Sequence, residues 1–135
     1  MRRQSTLKGP QGIETILLVE DEEVMRTLVT EVLSSSGYKV LTAEDGEQAM
    51  KIFSRFHSDI ALVLSDIRLP KLGGDRMLKI MKRIDPRVPV VFETGYLNGQ
   101  MKDRLRMAGA RGFIQKPGVP ADIIATIREV LLDRR

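Results

Sequence analysis

Five short apolar runs alternate with segments of helical periodicity along this chain, and few folds accept such a pattern. The runs are Thr15–Val19, Tyr38–Ala43, Ile60–Ser65, Val88–Phe92 and Gly112–Gln115. Runs of this length bounded by turn residues read as buried strands. Between them, Val24, Met25, Leu28, Val29, Val32 and Leu33 recur at helical spacing, as do Ala49, Met50, Ile52 and Phe53. Met77, Leu78, Ile80, Met81 and Ile84 form a third stripe, Met101, Leu105 and Ala108 a weaker fourth, and Ile123, Ile124, Ile127, Val130 and Leu131 a fifth. Turn and cap signals agree: Ser36-Gly37 closes the first helix, Asp45 is placed to cap the second, Pro86 and Pro89 follow the third, and Pro120 opens the fifth. Strict strand–helix alternation predicts an α/β fold, a parallel sheet with helices on both faces. The third run is apolar almost throughout, as a central strand covered twice must be, whereas the mixed second run fits an edge.

Composition narrows the function classes. The chain has 135 residues and 42% hydrophobic content, enough for one domain with one core. It has no cysteine, which excludes disulfides and thiolate metal sites. No apolar run is long enough to cross a bilayer and no signal-peptide pattern opens the chain, so a soluble cytoplasmic protein without membrane contact is expected. The net charge of +4 is carried by the ends: residues 1–12 contribute +3, residues 128–135 contribute +1, and the rest is neutral. A basic tail is not a groove-binding surface, and no direct nucleic-acid contact is expected. Residues 1–12, with Gly9, Pro10 and Gly12, read as a flexible leader before a domain spanning 13–133.

Charged groups stand where the strands end. Glu20-Asp21 follows the first run, Asp66 the third, and Lys116-Pro117 the fifth. In an open parallel sheet the carboxyl ends of the strands share one edge, where ligands bind. That edge then holds three carboxylates and one ammonium. Two carboxylates about 4 Å apart repel by roughly 4 kcal/mol at an effective dielectric of 20. Such a cluster is a poor structural device and a natural site for a divalent cation.

Leu17-Leu18-Val19-Glu20-Asp21-Glu22, Asp66-Ile67-Arg68-Leu69-Pro70 with Gly73-Gly74, Thr94-Gly95 and Lys116-Pro117 together resemble the receiver domain of two-component response regulators, over about residues 13–133. The resemblance implies a flavodoxin-like (βα)5 fold with strand order 2-1-3-4-5. It implies that Asp66 is the phosphoacceptor, taking a phosphoryl group from a sensor histidine kinase or a histidine phosphotransfer domain. Mg²⁺ is the implied cofactor, held by Asp21, Asp66 and the backbone carbonyl of Arg68, with Glu20 acting through a water. Lys116 would supply a mobile positive charge, and Thr94 a hydroxyl to the phosphoryl group. Thr94 and Phe113 would form the switch, with output through the fourth helix, fifth strand and fifth helix, a face that also suits a homodimer. The Lys116-Pro117 bond is implied to be cis. Such a protein is a phosphoacceptor that assists its own phosphorylation and dephosphorylation, not an enzyme in the ordinary sense.

The departures from the pattern are specific. Glu20 replaces the more usual aspartate, and Leu69 a methionine, which concerns packing only. Arg68 and Tyr96, two residues beyond Asp66 and Thr94, border the path of attacking water and are expected to tune the lifetime of the phosphorylated state. Two other classes fit the sequence less well. A receiver-like binding module that never takes phosphate is disfavoured by the complete set Glu20, Asp21, Asp66, Thr94 and Lys116. An aspartyl-nucleophile hydrolase of the haloacid dehalogenase type needs a second aspartate where Arg68 stands. No glycine-rich nucleotide-binding pattern follows the first strand. His57, the single histidine, sits in a polar stretch and is expected to be exposed, and Lys102, Arg104, Arg106 and Arg111 read as a solvated basic face. No effector domain is expected after Leu132. Both a stand-alone regulator and a receiver cut from a hybrid kinase stay open, with Gly12–Thr15 and Val91–Tyr96 closer to the latter.

Overall fold

The computed structural model describes residues 14–95 and 98–133; the expected leader and Tyr96 lie outside them. The elements are β1 (Thr15–Val19), α1 (Glu23–Ser35), β2 (Lys39–Ala43), α2 (Gly46–Phe56), a 3₁₀ turn (His57–Asp59), β3 (Ile60–Asp66), α3 (Gly74–Ile84), β4 (Val90–Thr94), α4 (Gly99–Met107), β5 (Ala110–Gln115) and α5 (Pro120–Leu132). All neighbouring strands pair in parallel, in the order β2-β1-β3-β4-β5. This is the doubly wound α/β architecture that the strand–helix alternation predicts, with the strand order that the resemblance implies.

Successive strand residues face opposite sides of the sheet, so each strand feeds two cores. Leu17, Val19, Val63 and Phe92 pack with Phe53, Met77, Met81 and Leu105 under α2, α3 and α4. Ile16, Leu18, Leu62, Leu64 and Val91 pack with Val29, Leu33, Ile123 and Ile127 under α1 and α5. β3 lies at the centre and is buried from Ile60 to Ser65, which accounts for its unbroken apolar run. β2 is an edge, with Lys39 and Thr42 exposed.

Backbone chemistry sets the ends of the elements. The Ser36-Gly37 stop is a Schellman motif: the Tyr38 amide donates to the Leu33 carbonyl at 3.2 Å and the Gly37 amide to that of Ser34 at 2.9 Å. Gly37 takes φ +96°, which a side chain would oppose. Asp45 caps α2 by accepting from the Gln48 amide at 2.8 Å. Because the Tyr38 amide serves α1, β2 begins at Lys39 rather than Tyr38. β4 begins at Val90 rather than Val88, since Pro89 has no amide to donate, and it runs on to Thr94. β3 gains Asp66, paired with Glu93, and β5 starts two residues earlier than expected, at Ala110, across an irregular register.

The α1 stripe is corrected by the packing. Only Val29 and Leu33 of α1 are buried, while Val24 is 69% and Leu28 52% exposed. Together with Met25, Val32 and Ile124 of α5, Leu28 lines an open apolar groove of about 740 Å³ that reaches Pro117 and Gly118. On α4 only Leu105 is buried, and Met101 is 38% exposed.

Leu64, fully buried at the middle of β3, measures the core. Leu64→Ala should lower the unfolding free energy by about 3 kcal/mol, through lost burial and an unfilled cavity, as read from a denaturant titration.

Candidate functional site

The carboxyl edge of the sheet collects residues far apart in sequence. Glu20 directly follows β1, and its amide still donates to the Ala43 carbonyl at 3.0 Å, so its backbone continues the sheet. Its side chain is only 2% exposed. The Arg26 guanidinium donates to the Glu20 carbonyl at 2.8 Å, and the Glu22 amide to Glu20 Oε2 at 3.1 Å. Asp21 is exposed beside it, and Asp66 ends β3. One oxygen from each of Glu20, Asp21 and Asp66 lies within 4.8 Å of the others.

Lys116, just past β5, reaches into this cluster. Its Nζ donates to Asp66 Oδ2 at 2.8 Å and to Glu20 Oε1 at 3.0 Å. Burial alone would depress its pKa, but hydrogen bonds and charge from Asp66 and Glu20 outweigh that and hold the ammonium above the ordinary lysine range. The other Asp66 oxygen, Oδ1, accepts from the Arg68 amide at 3.3 Å, while the Arg68 side chain is exposed. The Lys116-Pro117 bond is cis, and the Lys116 amide donates to the Thr94 carbonyl at 2.8 Å. That bond ties the end of β4 to the lysine turn.

Thr94 is buried at the end of β4. In the β4–β5 register it stands opposite Gln115, two residues beyond the Phe92–Phe113 pair, so Thr94 and Phe113 share a face of the sheet. The half-buried Phe113 ring stacks on Phe92, with centroids 6.4 Å apart at 25°. Lys102 Nζ lies 5.7 Å and Arg106 Cζ 5.2 Å from its centroid, so two cations of the basic α4 face lie over this ring. Arg111 instead pairs with Asp133 at 3.3 Å, and Arg104 is exposed. Tyr96 lies outside the described residues.

His57 departs from expectation. It is half-buried in the 3₁₀ turn, with Nδ1 3.2 Å from Asp85 Oδ2 and its ring 5.8 Å from that of Phe53. The turn precedes β3, which places His57 at the opposite edge of the sheet from Asp66.

The residue that motif reading passed over is Glu93. Within β4 it is 2% exposed and is the register partner of Asp66. Burial raises its pKa; Lys116 opposes the rise, and Glu20 and Asp66 add to it. The signal was present as a carboxylate directly after the apolar stretch Val90-Val91-Phe92 and before Thr94.

Comparison with known proteins decides the family. The model of the response regulator receiver domain matches residues 16–128. The chain belongs to that family. This receiver domain is 30% identical over 120 residues to the sensor kinase CckA of Brucella abortus, covering 89% of the chain and 13% of that protein. It is 36% identical to the probable transcriptional regulator ycf27 of Porphyridium aerugineum, covering 87% and 48%. The chain thus spans less than half the length of these relatives. Among solved structures, a response regulator receiver domain protein from Clostridium thermocellum superposes with a TM-score of 0.81 at 29% identity, covering 89% of this chain and 95% of that one. A chain of the CheX-CheY-BeF3-Mg+2 complex from Borrelia burgdorferi superposes with 0.86 at 26% identity, covering 91% and 98%. No helix among the described residues is long and apolar enough to cross a membrane.

The sign of the Glu93 shift makes a prediction. A buried acid with a raised pKa keeps a proton that the unfolded chain releases, so its contribution to stability falls as pH rises above the ordinary carboxylate range. Glu93→Gln removes this linkage. Its thermal midpoint, relative to the parent receiver domain, should improve steadily from mild acid to neutral pH.

Proposed function

We propose that this receiver domain accepts a phosphoryl group on Asp66 in a Mg²⁺-dependent reaction and converts it into a change at the α4–β5–α5 face. The observation that carries this reading is the clamp on Asp66: one carboxylate oxygen is held 2.8 Å from the Lys116 ammonium, with Glu20 and Asp21 oxygens close by. Phosphoryl transfer demands positioning and charge neutralisation more than covalent chemistry from the protein.

The donor set fits the ion. Glu20, Asp21 and Asp66 are hard oxygen donors with no histidine or thiolate among them, and Mg²⁺ takes a few such oxygens and keeps waters. Asp21, Asp66 and the Arg68 carbonyl would hold it directly, with Glu20 acting through water. When bound, Mg²⁺ neutralises charge on the oxygens of the moving group.

The chain's own residues do the rest. An Asp66 carboxylate oxygen attacks phosphorus, the O–P bond forms, and the P–N bond to the donor histidine breaks, with the imidazole keeping the electron pair. Lys116 remains charged throughout and turns from the carboxylate to a phosphoryl oxygen. Thr94 gives its hydroxyl to another. Its inward movement frees space toward Phe113, and that ring carries the change to α4 through Lys102 and Arg106. The protein is thus substrate and catalyst of a single event, not a turnover enzyme. Arg68, exposed beyond Asp66, tunes the lifetime by bordering the path of water; the same role for Tyr96 rests on its position in the sequence, two residues past Thr94.

The partner is a sensor histidine kinase or a histidine phosphotransfer domain. Exposed Leu28 and Val24 on α1, with the groove reaching Pro117 and Gly118, give it apolar surface beside the phosphoacceptor. The likeness to sensor kinases that are many times longer supports a receiver that works within a hybrid kinase. The α4–β5–α5 face is open to a second copy of this domain, and no nucleic-acid contact or membrane contact is assigned to it; its place of action is the cytoplasm.

Intact mass spectrometry tests the reading. Incubation with acetyl phosphate and Mg²⁺ should add one phosphoryl group, and Asp66→Asn or a chelator should abolish it. An unchanged mass, under conditions that label another receiver domain, refutes the reading.

A further inference from the structure

Glu93 takes no part in the reaction just described, yet its side chain is as deeply buried as that of Glu20, at 2% exposure. Its strand neighbours are Asp66 on one side and Ile114 on the other. Burying a carboxyl without full hydrogen bonding is expensive, and Glu93 Oε2 has no hydrogen-bond partner among the described residues. An apolar side chain here would simply extend the core formed by Val91, Ile114 and Ile123. The fold alone therefore does not account for a carboxyl at this position.

The surroundings give it a use. The Gly118 backbone lies against the Glu93 carboxyl, and its amide offsets part of the rise that burial gives the Glu93 pKa. The turn is pressed so close that a Cβ on Gly118 would lie 3.1 Å from Glu93 Oε2 and 3.0 Å from both Ile114 Cγ2 and Ile123 Cγ1. Gly118 is two residues past Lys116, on the far side of the cis Lys116-Pro117 bond, while the near side of the turn is held by the Lys116 amide on the Thr94 carbonyl. Thus β4 meets the turn at both ends, through the hydrogen bond to the Thr94 carbonyl and through the close packing of Glu93 against Gly118.

We propose that Glu93 is a positioning residue for Lys116: by holding the Gly118 amide it fixes the turn at the height where the ammonium spans Asp66 and Glu20. Glutamine preserves the acceptor and the volume but not the charge. Leucine preserves approximate volume and removes the acceptor. Comparing the two separates positioning from charge. The inference rests on the phosphoacceptor reading for its consequence, but not for its first readout.

That readout is Mg²⁺ binding by calorimetry on the unphosphorylated chain. The ammonium competes with the ion for Asp66 and Glu20, so Lys116→Ala should bind Mg²⁺ more tightly than the parent. Glu93→Leu should also bind several-fold more tightly than Glu93→Gln, because its ammonium is no longer held in place. The second readout is phosphorylation by acetyl phosphate at saturating Mg²⁺. Glu93→Leu should be slowed roughly tenfold, as small displacements at a reacting centre can produce, with Glu93→Gln near the parent rate. Glu93→Leu combined with Lys116→Ala should be no slower than Lys116→Ala alone. Thermal unfolding checks that each variant is folded, and should Glu93→Leu fail to fold, Gly118→Ala, which pushes the same turn off Glu93, takes its place in every comparison. Equal Mg²⁺ affinity for the leucine and glutamine variants overturns the inference, as does a leucine variant phosphorylated at the parent rate. If the parent chain takes no phosphate, the phosphoacceptor reading falls, and the difference in Mg²⁺ affinity still decides the role of Glu93.

Discussion

The Lys116 ammonium is what allows several carboxylates to share one edge of the sheet. It lies within hydrogen-bond distance of Asp66 and Glu20 at once, and those two groups in turn keep it charged. Such partly buried pairs contribute little net stability, because desolvation offsets most of the attraction. The arrangement serves the site rather than the fold: three carboxylates stand together where an internal cation already balances two of them. The fold is held elsewhere, by the two apolar layers on either side of β3.

Parallel topology is the constraint that makes this edge possible. Glu20 and Lys116 are 96 positions apart, and Asp66 and Lys116 are 50 apart. Every strand runs the same way, so each strand end delivers its next residue to the same rim. β4 supplies Thr94 to that rim and Glu93 beneath it, and the turn after β5 closes over both. The amino edge carries a different and simpler pair, His57 with Asp85.

The same sheet links the rim to the α4 face. Thr94 and Phe113 stand on one side of neighbouring strands, and Phe113 lies between Phe92 inside and two α4 cations outside. The proposed switch draws on this placement: the ring is half-buried, with Phe92 on one side and Lys102 and Arg106 on the other.

Fold class, the five strands and the principal charged residues of the site were legible in the sequence, because period and punctuation are local properties. Asp45 as a cap, Ser36-Gly37 as a stop and β3 as a central strand follow from backbone chemistry within a few residues. The strand order and the cis bond came from the family resemblance rather than from the residues themselves. What local pattern misjudged depended on neighbours distant in sequence. Val24 and Leu28 share the helical stripe of α1, yet α5 covers only part of that face; His57 sits in a polar stretch, yet Asp85 and Phe53 enclose it. The sequence by itself determined which residues are apolar, where the chain turns and which charges stand at strand ends, since these are set by near neighbours along the chain. Only the tertiary structure decided that Lys116 bridges Asp66 and Glu20, and that Glu93 lies buried against Gly118. Those contacts exist only once strands far apart in sequence lie about 5 Å from one another in the sheet.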